Sequence, residues 1–115
     1  MKITHNILQI AYKALDDKFG LDIKILNISE ISIIADYFII ATGNNSVQIK
    51  AMADEISEKL HKEGIYLKHV EGLSTAKWVL LDFGDIIVHI FDKENREFYN
   101  IERIWGDALV IDDLK

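Results

Sequence analysis

The segment from Trp78 to Phe91 constrains the fold more than any other part of the chain. Its sequence, WVLLDFGDIIVHIF, predicts two strands joined by a two-residue turn at Gly84 and Asp85. A turn of that length fixes the register of the pair. On one side every cross-strand pair is then apolar: Phe83 with Ile86, Leu81 with Val88, and Val79 with Ile90. This side, here called the apolar face, must belong to the core.

The opposite side of the hairpin combines aromatic, aliphatic and polar side chains. Its predicted pairs are Trp78 with Phe91, Leu80 with His89, and Asp82 with Ile87. A carboxylate and an imidazole fit poorly in a core, because buried polar groups need partners. We call this side the mixed face, and we predict that it is at least partly open and meets a partner.

The composition narrows the class of partner. The 115 residues are enough for one domain with a single core, so we expect one domain over residues 1–115. The formal net charge is −6 and no cluster of Lys and Arg occurs, which makes naked nucleic acid an unlikely ligand and a basic protein a better match.

The absence of cysteine excludes disulfides and thiol chemistry. Because no apolar run is long enough to span a bilayer and no targeting peptide is evident, we expect neither a membrane nor a secreted location.

Periodicity along the chain predicts the order α-β-β-α-β-β-β-α. This order indicates an α/β fold with a single mixed sheet of about five strands and helices mainly on one face. The first helix is expected to begin near Thr4 and to end with Gly20 in a left-handed conformation. Asn44, Asn45 and Ser46 can cap the second helix, and Asn45 with Gln48 resembles a capping box. A third strand is expected around Tyr66 to Val70.

No pattern predicts a catalytic, metal or cofactor site. The turn from Thr42 to Ser46 could bind an anion at a helix N-terminus, but a plain capped connection explains it better. Asp82 and Asp85 lack the spacing of metal ligands on a strand, and Asp85 is explained as a turn residue. The four histidines are too scattered for a zinc site. His89 has two equal interpretations: a contact residue, or a histidine hydrogen-bonded to a carboxylate such as Asp82 or Glu71.

The C-terminal segment mixes charges with large apolar residues. Its charges, Glu94, Arg96, Glu97, Glu102 and Arg103, are expected to form a solvated run. Its apolar residues, Phe98, Tyr99, Ile101, Ile104 and Trp105, are expected to anchor the segment to the sheet, because exposed apolar clusters of that size are rare in monomers.

Five segments together resemble the Iojap/YbeB family of ribosomal silencing factors (RsfS). They are ADYFIIATGN from Ala35, IKAMADEISEKL from Ile49, HVEG from His69, KWVLLDFGDIIVHIF from Lys77 and REFYNIERIWGDA from Arg96. The resemblance implies a cytoplasmic or organellar protein, here expected in the cytoplasm, that dimerises when free. It implies binding to the large ribosomal subunit through its protein number fourteen. Small-subunit joining would thereby be blocked and translation repressed when nutrients are scarce.

With a basic ribosomal partner implied, the mixed face becomes the predicted contact patch. Its residues are Trp78, Leu80, Asp82, Asp85, His89, Phe91 and Glu71, with Trp78 as the expected hot spot. The family also implies a nucleotidyltransferase-like topology, and a nucleotide-binding or nucleotidyltransferase-like enzyme is therefore the alternative. Such an enzyme needs Gly-Ser after its first strand and two acids at i,i+2 on the next. Asn44 follows Gly43 here and no strand carries that acidic pair, so we expect no enzyme.

Overall fold

A computed structural model describes residues 3–114 of the chain. The elements in chain order are α1 (His5–Asp17), β1 (Leu21–Asn27), β2 (Tyr37–Gly43), α2 (Ser46–Lys62), β3 (His69–Glu71), β4 (Trp78–Asp82), β5 (Ile86–Asp92), α3 (Lys93–Tyr99), α4 (Ile101–Ile104) and β6 (Leu109–Val110). The predicted order of elements is confirmed as far as α3. A further helical turn and a short strand follow it.

The strands form one mixed sheet in the order β3-β4-β5-β2-β1-β6. Among the strands described, only β2 and β5 pair in parallel; α2 and the β3–β4 segment form the long connection that a parallel pair needs. The hairpin register is confirmed: Trp78 pairs with Phe91, Leu80 with His89 and Asp82 with Ile87. The sheet has six strands instead of about five, since Leu109–Val110 adds to the outer edge of β1.

The helices α1 and α2 cover the apolar face, as predicted. Thr4 caps α1 by accepting a hydrogen bond from the Ile7 N–H at 3.2 Å, and Asn45 caps α2 through the Gln48 N–H at 2.8 Å. Their apolar stripes pack with Val79, Leu81, Val88 and Ile90 of the hairpin, all of which are buried. Within residues 3–114, no helix is long and apolar enough to cross a membrane.

The mixed face is less open than expected, because α3 and α4 lie across part of it. A second buried cluster forms there, in which Phe38, Ile40, Ile87 and Phe91 of the sheet pack with Ile101 of α4. Trp78, Leu80 and Trp105 border this cluster and are only partly buried. The sheet therefore has a core on both faces, a large one under α1 and α2 and a small one under α3 and α4.

Two local predictions are wrong. The left-handed residue after α1 is Phe19, at φ 64°, and not Gly20. Gly20 is required for another reason, since a Cβ there would stand 2.9 Å from the Leu15 carbonyl oxygen. The third strand is the short His69–Glu71 instead of Tyr66–Val70. The Lys68 N–H donates to the Asp82 carbonyl at 2.8 Å where the pairing begins, and Tyr66 and Leu67 lie outside any strand.

Candidate partner-binding site

Three strands and a turn bring the predicted contact residues to one side of the sheet. Trp78, Leu80 and Asp82 alternate on β4 and point to the mixed face. Glu71 of β3 lies directly opposite Leu80, so it projects from the same face. Asp85 occupies the adjoining hairpin turn and is exposed. Trp78, Leu80, Asp82 and Glu71 therefore share the mixed face at the β3 end of the sheet, and Asp85 lies in the adjoining turn; we call these five residues the strip.

Trp78 is half-buried and held from three sides. Its ring stacks on Phe91 at a centroid distance of 4.9 Å and lies tilted against Tyr99 of α3 at 4.6 Å. Its indole Nε1–H donates a hydrogen bond to Nδ1 of His89 at 3.1 Å. One part of the ring thus anchors in the protein while the rest faces solvent.

His89 is buried, with 5% of its surface exposed, and its partner is not a carboxylate. The predicted bond to Asp82 or Glu71 is absent among the hydrogen bonds of residues 3–114, and Trp78 takes that place. Because Nδ1 accepts, the ring proton of a neutral imidazole resides on Nε2, which is buried and has no hydrogen-bond partner among residues 3–114. Burial lowers the pKa of His89 to about 4, so the ring is neutral at physiological pH.

The prediction that Phe91 and His89 contact a partner directly is corrected, because both side chains are buried. Phe91 is fully covered by Trp78 and by the residues of α3 and α4, and His89 lies beneath Trp78 and Leu80 in the same layer. An apolar side chain on a central strand is covered when an element crosses that face. In this conformation both residues support the surface from below, and Trp78 and Leu80 form its accessible part.

The acidic residues of the strip have different surroundings. Asp82 is half-buried, and its Oδ1 accepts a hydrogen bond from the Gly84 N–H at 2.7 Å, which stabilises the turn. Glu71 is exposed and lies 3.3 Å from Nε2 of His69. Asp85 is exposed and its side chain makes no hydrogen bond or ion pair within the described residues. Glu71 and Asp85 are therefore the carboxylates most available to a partner.

Sequence reasoning missed the exposed apolar side chains of α3 and α4, and those of α3 extend this surface. Phe98 is 78% exposed and Ile104 72% exposed, so the predicted anchoring role is wrong for both. Phe98 packs edge-on against Tyr99 at 5.0 Å, and Tyr99 contacts Trp78. The sequence contained an indication of this surface, because an apolar cluster of this size that stays exposed marks an interaction site.

A charged network fixes α3 and α4 to the sheet. Arg96 donates from Nε to Glu102 at 2.8 Å and from a terminal nitrogen to the Thr42 hydroxyl of β2 at 2.9 Å. Lys24 of β1 lies 2.9 Å from the other carboxylate oxygen of Glu102. Burial by itself raises the pKa of Glu102. The hydrogen bonds and charges of Arg96 and Lys24 lower that pKa by a larger amount, so the net pKa lies below the usual range. We call these four residues the clamp; Arg96 and Glu102 were expected to be solvated.

A cavity of about 610 Å³ beside the clamp is the place where the alternative enzyme would hold a substrate. It lies at the end of β2, next to Thr42 and Asn44. Two of its three lining cations, Lys24 and Arg96, are already paired with Glu102. The third, Lys93, shares the lining with the carboxylates of Asp22 and Glu97, so the cavity has no excess of positive charge for a phosphate. Among residues 3–114, no three His, Asp or Glu side chains are grouped as metal ligands.

Comparisons with known proteins agree on one family. A family profile described as "Ribosomal silencing factor during starvation" matches residues 2–115. The chain is similar to the ribosomal silencing factor RsfS of Bacillus subtilis, with 47% identity over 93% of this chain and 91% of that protein. It is also similar to a chloroplastic Iojap protein of Arabidopsis thaliana, with 36% identity over 91% of this chain and 43% of that protein.

Solved structures show the same fold. A crystal structure of a protein from Chromobacterium violaceum superimposes with a TM-score of 0.86 at 37% identity, over 92% of this chain and 88% of that one. A second, from Bacillus halodurans, gives 0.82 at 38% identity, over 95% and 99% of the two chains.

Proposed function

This chain belongs to the RsfS family of ribosomal silencing factors, and from that premise we propose that it binds the large ribosomal subunit and blocks joining of the small one. The family role in silencing ribosomes sets the class of target. The proposal adds the mode of action, in which occupation of a surface is sufficient and no reaction is catalysed. Translation would fall under nutrient limitation because fewer subunits could join.

The observation that carries the proposal is the half-buried Trp78 within an apolar strip, the name used here for Leu80, Trp78, Tyr99 and Phe98. Trp78 and Leu80 are partly open on a strand whose neighbours hold them in place. Tyr99 and Phe98 continue the strip onto α3. Aromatic side chains that are fixed before binding lose little entropy on association, and they are the residues that most often dominate an interface.

Charge favours a basic ribosomal protein over RNA as the direct contact. Glu71 and Asp85 are exposed beside the apolar strip, and Asp82 lies between them on β4. Carboxylates at the rim of an interface attract a basic partner and fix its register. We infer that protein number fourteen of the large subunit, the partner implied by the family resemblance, docks on this strip in the cytoplasm. The free protein would form a homodimer.

The test is sedimentation of the purified protein with large subunits, comparing Trp78→Ala with wild type. We expect Trp78→Ala to weaken binding by about 2 kcal/mol or more, roughly thirtyfold, as for a central aromatic anchor. Tyr66→Ala is the matched control, since Tyr66 is an aromatic residue that is 60% exposed and packs against His61 at the end of α2. It should bind like wild type.

Trp78 also packs on Phe91, so each variant is first checked for its circular dichroism and melting temperature. A folded Trp78→Ala variant that binds like Tyr66→Ala would contradict the proposed surface. Large subunits that lack protein fourteen test the partner separately, because retained binding there would contradict the partner but not the surface.

A further inference from the structure

The strongest unexplained feature of the molecule is a buried histidine whose only side-chain hydrogen bond within residues 3–114 is to the proposed hot spot. We propose that His89 is a positioning residue, which holds the Trp78 indole in its binding orientation by accepting its N–H bond; this inference rests on the proposed function. His89 and Trp78 lie on adjacent strands, one pair apart on the mixed face. The bond from Nε1 to Nδ1 is 3.1 Å long.

The surroundings of His89 leave its ring little freedom. Phe38 lies edge-to-face against the imidazole at 4.8 Å, and Phe91 is parallel to it at 6.3 Å. Leu80 lies directly opposite His89 on the neighbouring strand. An imidazole confined in this way presents Nδ1 in a fixed direction, so the indole that donates to it is fixed as well.

The acceptor requires a neutral imidazole with its proton on Nε2. A protonated ring would place an N–H at Nδ1, facing the indole N–H, and the bond would be lost. Burial among Phe38, Phe91 and Leu80 disfavours that cation. The buried Nε2 has no partner in the described residues, so nothing competes to turn the ring around. The fold therefore leaves Nε2 of His89 without a hydrogen bond and keeps the bond from Trp78 to Nδ1.

The direct readout is the indole N–H signal of Trp78 in a nitrogen–proton NMR spectrum. The chain has two tryptophans, so Trp105 supplies an internal reference and Trp78→Phe assigns the signals. We expect His89→Leu, which removes the acceptor, to shift the Trp78 signal upfield and to leave Trp105 less affected. His89→Asn places Oδ1 where Nδ1 was, and it should return the signal toward its wild-type position.

The functional readout is affinity for large subunits. We expect His89→Leu to weaken binding about tenfold, the factor for one lost hydrogen bond, and His89→Asn to stay within about threefold of wild type. A double-mutant cycle separates positioning from simple packing. In the Trp78→Phe background there is no N–H to hold, so His89→Leu should cost no further affinity.

The outcomes distinguish the inference from the function on which it rests. If His89→Leu leaves the Trp78 signal unchanged, or if its effect is the same in the Trp78→Phe background, the positioning role is overturned. Equal losses in His89→Leu and His89→Asn would also overturn it. If the NMR pattern is as expected but Trp78→Ala binds normally, the proposed function fails while the hydrogen bond stands. If His89→Leu does not fold, His89→Asn is compared with His89→Ser instead. Equal Trp78 signals and equal affinities in these two variants would overturn the positioning role.

Discussion

His89 makes the stability of this protein depend on pH, because its ring is buried in the neutral form. The pKa falls from 6.5 in the unfolded chain to about 4 in the folded one. The unfolded state therefore binds the proton first as the pH decreases. The stability that the neutral ring provides is complete above pH 6.5, and it is lost progressively between pH 6.5 and pH 4.

The size of this loss is measurable by urea unfolding at two pH values. Between about pH 7.5 and about pH 5, we expect His89 to remove about 2 kcal/mol from the free energy of unfolding. His89→Asn retains every other titrating group, so the difference between the two proteins isolates the histidine. If both proteins lose the same free energy over this range, the ring is not buried as a neutral group.

At the scale of the element, the clamp holds α3 and α4 on the sheet together with a small amount of apolar burial. No residue of α3 is buried, and Ile101 is the buried residue of α4. Arg96, whose side chain is 11% exposed, joins Glu102 to Thr42 of β2. Hydrogen bonds to charged groups contribute about 1.5–3 kcal/mol each when shielded from water.

Arg96→Met tests the clamp because it keeps the length of the side chain and removes the donors. We expect a loss of about 2 kcal/mol in the free energy of unfolding. Amide hydrogen exchange should increase within α3 and α4 while β2 and β5 stay protected. Lys62→Met, which breaks the exposed pair with Glu58, is the matched control and should change stability by less than about 0.5 kcal/mol. Uniform exchange throughout the Arg96→Met protein would show that the clamp is not local.

The same elements show which parts of the structure could be predicted from sequence. The hairpin register followed from the length of one turn and from alternation along two strands, and both are local properties. The covering of Phe91 did not follow, because Tyr99 reaches it from α3, a helix that Arg96 joins to Thr42, 54 residues earlier in the chain. The strand Leu109–Val110 is too short to show any alternation, so the sixth strand was missed.

The end of α1 illustrates the limit of predicting a helix end from the position of a glycine. A glycine there predicts a left-handed cap, and the cap exists, but Phe19 adopts it. Gly20 is fixed by its approach to Leu15 and to Met52 of α2. The hydrogen bonds from the Gln48 amide to the carbonyls of Lys18 and Phe19 complete this contact between the helices, and no local pattern reveals them.

At the scale of the whole molecule, two electrostatic effects oppose each other when an acidic protein approaches a ribosome. The net charge of −6 is repelled by ribosomal RNA, whereas the acidic rim at Glu71 and Asp85 is attracted by a basic protein. The distance of each group of charges from the ribosome decides which effect is larger. The molecule measures 32 × 31 × 27 Å, and charges on the helix layer lie on the side of the sheet opposite the mixed face. At about 0.15 M salt the Debye length is about 8 Å, so the helix layer is screened and the rim is not.

Two double variants with the same total charge separate these effects. Glu71→Lys with Asp85→Lys changes the net charge from −6 by +4 to −2, and so does Asp54→Lys with Glu63→Lys on α2 and its C-terminal cap. At about 0.15 M salt we expect the rim variant to bind large subunits at least tenfold more weakly, although its overall repulsion is smaller. The α2 variant should bind like wild type, because its altered charges are screened. If both variants bind more tightly by similar factors, general repulsion governs the association, and the acidic rim does not face a basic protein.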